Sequence, residues 1–275
     1  MCTTKGSNRM TKNRRLLFIS CISSFLISTQ DSLADIGVVL DAKPGATITS
    51  NQRTTRLTKG MSVSSGDTIS TDSTGIVQLG FVDETKIAVG PNAKMILDIS
   101  MLRGNQRAKN FTVKALGGSF RFISGASNET AYKIKTPTAT MGIRGTVFDV
   151  WVLDRRQTSL AILDGAVRMC AEDGGCRVIS GSCSLVATTP RGRIAAPKNV
   201  EQSGRAITNG FPFLLSQDFL KQPFRVDIEQ CGRHMPVTAR RKEIRSPQSS
   251  PMGVDPSGPG PGPGPGPGPG PGGGG

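Results

Sequence analysis

From about Asp35 to Val186 apolar and polar side chains alternate in short runs, and glycines and small polar residues break each run after a few positions. This period of two constrains the fold more than any other feature, because only an extended strand with one buried face needs it. Ile76-Val77-Gln78-Leu79-Gly80-Phe81 places Val77, Leu79 and Phe81 on one face. Lys86-Ile87-Ala88-Val89 follows after Asp83-Glu84-Thr85. Phe111-Thr112-Val113-Lys114-Ala115-Leu116 alternates in the same way. No segment of this region sustains a helical spacing. Many short strands with regular turn signals predict an all-β fold: a single antiparallel β-rich domain, sandwich or solenoid-like, over residues 35–187. About 150 residues of this kind suffice for one sizeable core.

Glycines punctuate the pattern at telling places. Gly75, Gly118, Gly145 and Gly165 each precede a run of alternating apolar residues, at irregular intervals that exclude a strict repeat array. The stretch from Thr136 to Val150 reads as a strand, a glycine-punctuated turn at Gly142 to Gly145, and a second strand. Leu160 to Leu163 and Ala166 to Cys170 read as a hairpin-like pair about Asp164-Gly165. Asp83-Glu84-Thr85 reads as a solvated hairpin turn.

The ends carry different information. Lys12, Arg14 and Arg15 precede an apolar run from Leu16 to Ile27, and Ser32-Leu33-Ala34 offers small residues before Asp35. Residues 1–34 are therefore read as a cleaved signal peptide, since the run is short of the roughly 20 apolar residues of a membrane span. A lipoprotein at Cys21 would leave too little apolar sequence before the cysteine. The expected location is the periplasm, the cell surface or the medium, with no stable membrane span after cleavage. Removing this segment, with its five Lys/Arg and one Asp, lowers the formal net charge of +14 to +10. A basic exported protein favours anionic partners, such as an anionic cell-wall component. The basic residues are scattered, apart from Arg240-Arg241-Lys242 with Arg245, and lack interleaved stacking aromatics, so no nucleic-acid partner is expected.

Four cysteines remain beyond the signal: Cys170, Cys176, Cys183 and Cys231. An even number in an exported chain predicts disulfides. Cys170 and Cys176 flank a turn-like Ala171-Glu172-Asp173-Gly174-Gly175, which suits a cross-hairpin bridge; Cys183 with Cys231 would then staple the C-terminal segment to the β body. Four cysteines allow three pairings, and the sequence does not choose. Zinc held by Cys176, Cys183, Cys231 and His234 would lack the close cysteine pairs of structural sites, so no metal and no cofactor is expected.

Residues 188–256 read as an irregular basic extension interrupted by Pro190, Pro197, Pro212, Pro223 and Pro236. Phe211 to Leu220 suits a short amphipathic piece packed on the β body. Residues 257–275 alternate Pro and Gly and then end in glycines, which excludes collagen and predicts a disordered spacer. The chain has one His, His234, with no nucleophile elbow, zinc-protease motif or phosphate loop around it. Paired carboxylates among Asp83, Asp149, Asp154 and Asp164 are formally available, but each reads as a turn or strand-edge residue. The chain is not expected to be an enzyme.

An ordered set of motifs resembles the FecR-domain family over residues 57–168. It comprises Leu57 to Gly60, Val63-Ser-Ser-Gly66-Asp67-Thr-Ile69-Ser-Thr-Asp72 with Gly75, Val77-Gln-Leu79 with Phe81 to Ile87, Gly118-Ser-Phe120, Tyr132 to Ala139 with Thr136-Pro137, Gly142-Ile-Arg144-Gly145-Thr146-Val-Phe148-Asp-Val150, and Gly165-Ala-Val167. The resemblance implies an extracytoplasmic β-rich module that mediates protein interactions. Its best-known members relay a signal from an outer-membrane receptor to a cytoplasmic sigma factor, often for ferric-siderophore uptake. This chain shows neither a cytoplasmic segment nor an internal membrane helix of that design. The first expectation is therefore a non-catalytic envelope protein that binds another envelope protein or a cell-wall component as scaffold or adaptor. The alternative is a periplasmic regulator in a sigma-factor and receptor system. Within the signature, Arg144 is expected to satisfy carbonyls inside the β body rather than to present its guanidinium to a partner.

Overall fold

The computed structural model describes residues 35–231, apart from 103, 105, 173 and 230, and only the backbone at 144. The expected signal peptide, His234, the Arg240 cluster and the Pro-Gly tail lie outside the described residues. The strands follow in chain order as β1 (Asp35–Ala42), β2 (Ala46–Ser50), β3 (Arg53–Arg56), β4 (Ser62–Ser64), β5 (Thr68–Thr71), β6 (Val77–Phe81), β7 (Lys86–Val89) and β8 (Lys94–Met101). They continue as β9 (Ala108–Ile123), β10 (Tyr132–Lys135), β11 (Ala139–Leu153), β12 (Gln157–Ala171), β13 (Cys176–Ser180), β14 (Leu185–Thr188) and β15 (Ile194–Ala195). Helices α1 (Val200–Gly210) and α2 (Pro212–Leu215) come last.

The strands form one folded sheet with two leaves. The front leaf runs β3-β2-β5-β8, then the N-terminal half of β9, β10, the N-terminal half of β11, the C-terminal half of β12, and β13. The rear leaf runs β4-β1-β6-β7, then the C-terminal halves of β9 and β11, the N-terminal half of β12, β14 and β15. All pairings are antiparallel except β9 with β10, which is parallel. The all-β expectation holds.

Three long strands therefore belong to both leaves, and each turns its corner at a glycine. The corners lie at Gly118 in β9 (φ 88), Gly145 in β11 (φ 52) and Gly165 in β12 (φ 80). Positive φ is a conformation that side chains resist and glycine accepts. This corrects two sequence readings. Residues 139–153 are one bent strand rather than two strands about a turn, and residues 157–171 are one strand rather than a hairpin. The glycine bends the chain without reversing it, so both halves keep pairing, each with a different leaf.

The leaves enclose one core. Ile69, Met95, Leu97, Phe111 and Met141 from the front meet Leu79, Ile87, Phe148 and Leu160 from the rear, all essentially buried. Phe111 lies 5.0 Å from Phe81, 5.9 Å from Phe122 and 5.4 Å from Tyr132, centroid to centroid, and Phe122 stacks on Phe148 at 5.4 Å. Each such contact contributes about 0.5–1.5 kcal/mol beyond area burial. A cavity between the leaves, lined by Ile87, Phe120, Phe122 and Phe148, has a free volume of only about 10 Å³.

The C-terminal segment is a third layer on the outer face of the rear leaf. Asn199 caps α1 by accepting from the Gln202 amide at 2.8 Å. The helix buries Ser203, Gly204, Ile207 and Gly210. Gly210 sits flush on the Trp151 ring, where an added Cβ would lie 2.1 Å from an indole carbon. Phe211, Leu214 and Ile228 pack with Ala161 and Leu163, and Phe213, Leu220 and Phe224 pack on Ala88. The segment is thus less irregular than the prolines suggest, and Pro212 opens α2 instead of breaking it. Among the described residues no helix is long and apolar enough to cross a membrane.

Candidate functional site

The signature from Thr136 to Val150 divides into structural tasks. At its start, Thr136 and Thr138 form a hydroxyl cluster with Thr158 and Thr188. Thr158 lies 2.7 Å from both Thr136 and Thr138, and Thr188 lies 3.1 Å from Thr138. The Thr136 hydroxyl also accepts from the Ala139 amide at 2.9 Å, which closes the Pro137 turn. Gly142 lies in the front leaf with open space above it. Gly145 supplies the corner. Thr146 is buried there: its amide donates to the Ser124 hydroxyl at 2.8 Å, and its own hydroxyl donates to the Ala166 carbonyl at 2.8 Å. A Cβ on Gly165 would lie 2.4 Å from the Gly145 carbonyl oxygen, so the β12 corner must stay bare where it crosses the β11 corner. The backbone of Arg144 pairs with Ala166, while the expected role of its side chain falls outside the described residues.

The earlier signature pair Gly66-Asp67 is a tight turn. Gly66 has φ 92. The Asp67 carboxylate is buried, and it accepts from the Ser64 amide at 2.7 Å and from the Ser50 hydroxyl.

Among the described residues the buried arginine is Arg121, on the outer face of β9. Its Nε donates to Asp149 Oδ1 at 2.7 Å and its Nη2 to Oδ2 at 2.9 Å, with both residues essentially inaccessible. The same guanidinium donates to the Phe213 carbonyl at 3.2 Å, to the Phe224 carbonyl at 3.3 Å and to the Gln217 side chain. Arg121 is therefore the clamp that holds the third layer on the rear leaf. Burial pushes the Asp149 carboxyl up, and the Arg121 guanidinium pulls against that shift. Asp149 is a mid-strand residue, which corrects its reading as a turn or strand-edge carboxylate.

Asp83 is a second correction. It and Thr85 are buried rather than solvated. Asp83 Oδ2 accepts from Tyr132 at 2.9 Å and from Ser127 at 2.7 Å, and Oδ1 accepts from the Thr85 amide at 3.1 Å. Tyr132 Oη in turn accepts from the amides of Gly125 and Ser127, each at 3.1 Å. The turn is sealed because the segment from Ser124 to Ala131 folds over it and needs partners for its own amides. Burial raises the Tyr132 hydroxyl above its ordinary value, with the Asp83 carboxylate adding to the shift. Asp154 and Asp164 are exposed.

The four cysteines form two disulfides. Cys170 joins Cys176 across the β12–β13 hairpin with an S–S distance of 2.06 Å, and Cys183 joins Cys231 at 1.98 Å. Cys176, Cys183 and Cys231 are thus engaged in bonds that a zinc site would have to break. Among the described residues no cluster of three or more His, Cys, Asp or Glu is placed to hold a metal.

Open concavity lies beside α1. A cleft of about 460 Å³ runs between the helix and β14–β15, and another of about 270 Å³ opens on the opposite side over the β9 corner. Trp151 and Asn209 line both. Neither cleft contains a nucleophile beside a base. Among the described residues the buried titratable groups Asp67, Arg121, Asp149, Asp83 and Tyr132 all spend their bonding capacity on holding chain segments together. The arrangement suits recognition through surface and cleft contacts.

No curated protein matches the chain. Two crystal structures of a "putative anti-sigma factor" from Parabacteroides distasonis ATCC 8503 are similar at 14% identity, with TM-scores of 0.39 and 0.38. They cover 52% and 47% of this chain, which spans 64% and 58% of theirs, less than two thirds in each case. The model of the FecR family, described as FecR protein, matches residues 67–168. That span runs from the buried Asp67 turn through all three glycine corners and the Arg121–Asp149 clamp, and over it the chain is similar to the FecR family.

Proposed function

We propose that the protein is an exported regulator that works by binding another envelope protein and catalyses no reaction. The observation that carries this reading is the FecR match over residues 67–168. The FecR resemblance implies signal relay outside the cytoplasm, which favours the regulatory alternative over the scaffold reading placed first from sequence. The chemistry of the domain supports it. Buried ionisable groups are consumed in structural bonds, and two open clefts flank a helix that is clamped to the rear leaf.

Site-specific photocrosslinking in the native bacterium tests the proposal. A crosslinker is placed singly at Asn209 in the clefts, at Thr54 on the β3 edge and at Arg155 in the β11–β12 turn, all exposed. The regulatory reading predicts one recurrent protein adduct from one of these faces. Adducts absent from every face, with the protein confirmed in the envelope, overturn it.

A further inference from the structure

The two outer faces of the folded sheet differ in a way that neither the family match nor the clefts explain. The rear face is covered by the chain's own helices. Among the described residues no segment covers the front face, and its outward side chains follow from the register. One row crosses nine strands, from Thr54 through Thr49, Thr68 and Ile96 to Lys114, Lys135, Thr140, Cys170 and Cys176. Neighbouring rows add Arg56 with Lys94, and Lys133 with Arg168. Six cations thus project from this face: Arg56, Lys94, Lys114, Lys133, Lys135 and Arg168. Within the described strand residues of these rows the acid is Asp98, which lies 3.6 Å from Lys114.

We propose that this front face docks flat on an anionic lipid membrane. Nine strands at about 4.8 Å spacing make it roughly 40 Å wide. Its cations are spread over that width instead of converging on a cleft, so they match a plane of headgroup charge better than a compact ligand. Apolar side chains stand among them: Val178 is 69% exposed and Leu116 39% exposed, and half-buried Ile96 lies between Lys114 and Thr68. Cations flanking exposed aliphatic groups are the composition that settles into a headgroup layer. With the rear face sealed, docking would leave the α1 clefts turned away from the bilayer and open to a protein partner. Lipid docking and the regulatory role are separable, because vesicle binding needs no partner protein.

The test is co-sedimentation of the exported, processed protein with vesicles. Neutral phosphatidylcholine vesicles are compared with vesicles in which about a third of the lipid is phosphatidylglycerol, at physiological salt, where the Debye length is about 8 Å. Each Lys or Arg near an anionic surface raises binding about five-fold. A variant with Lys94, Lys133, Lys135 and Arg168 all changed to Glu is expected to bind the anionic vesicles at least about 30-fold more weakly. A control with Arg155, Arg156, Arg191 and Arg193 changed to Glu carries the same net charge, and it is expected to bind within a few-fold of the parent. Far-ultraviolet circular dichroism of both variants verifies the fold. Equal binding to neutral and anionic vesicles overturns the proposal, as does an equal loss in the two variants. Capture by a soluble acidic polysaccharide without capture by vesicles overturns it too.

Discussion

Replacing Arg121 by Met is the sharpest perturbation of the packing between the rear leaf and the third layer. The side chain fits the stem of the arginine but removes five hydrogen bonds: two to Asp149, one each to the carbonyls of Phe213 and Phe224, and one to Gln217. Breaking one partner out of a buried ion pair costs about 3–5 kcal/mol, because the other charge is left without compensation. The carbonyls that lose their donor push the value toward the upper end, so about 5 kcal/mol is expected at neutral pH. Domain stabilities run at about 5–15 kcal/mol, so this is a large share. Urea unfolding of the oxidised protein measures it, read by the fluorescence of Trp151. That residue is the one tryptophan of the chain and lies directly under Gly210 of α1. The pH dependence carries a sign. Without Arg121 only burial acts on Asp149, so its folded value rises further above the ordinary carboxylate value. The folded variant then holds a proton that the unfolded chain has released, and its stability falls as pH rises through that window. Lowering the pH toward the acid range should therefore narrow the gap to the parent. Changing Asp149 to Leu as well should recover at least about 2 kcal/mol, because no charge remains buried. A loss below about 1 kcal/mol, or equal losses in the single and double variants, would refute the clamp.

Three further outcomes follow from the same geometry. Gly145→Ala meets open space at φ 52 and should cost about 1 kcal/mol of strain, whereas Gly165→Ala drives a Cβ to 2.4 Å from a backbone oxygen and should cost clearly more in the same melts. Opening Cys183–Cys231 with serines should cost about 4 kcal/mol and opening Cys170–Cys176 about 2 kcal/mol, from sequence separations of 48 and 6, as read by the thermal midpoints of the two variants. Tyr132 is the single tyrosine of the chain, so the tyrosinate absorbance reports it alone. Its value is raised above 10.0, so its contribution to stability is intact below that pH and is lost as pH rises through the folded value. The folded protein should stay unionised past the midpoint of free tyrosine, and an ordinary titration midpoint in the folded state would contradict the buried Asp83–Tyr132 network.

The strands were legible because period-two alternation is a direct consequence of a leaf with one buried face. Val77, Leu79 and Phe81 point inward as the pattern requires. What stayed hidden was the continuity of β9, β11 and β12. A glycine in a strand-like run signals both a reversing turn and a corner, and only long-range pairing separates the two. Arg121 and Asp149 were hidden for a related reason. Each occupies an outward position between apolar neighbours, as in Phe120-Arg121-Phe122 and Phe148-Asp149-Val150. An outward charge normally meets solvent, and here a segment nearly a hundred residues later covers it. The signal that could have found the pair is two opposite charges, each embedded among large apolar residues. Asp83 looked like turn chemistry because its partners Ser127 and Tyr132 come more than forty residues later.

The most direct test of the central claim is the transcript profile of the native bacterium with the gene deleted, compared with the parent and with a strain complemented in trans. A regulator predicts that a small, coherent set of genes under one sigma factor shifts on deletion and returns on complementation. It also predicts that the Arg121→Met chain, with its third layer loosened, fails to restore the set. A deletion profile indistinguishable from that of the parent, under conditions in which the protein is abundant in the envelope, would contradict the regulatory role.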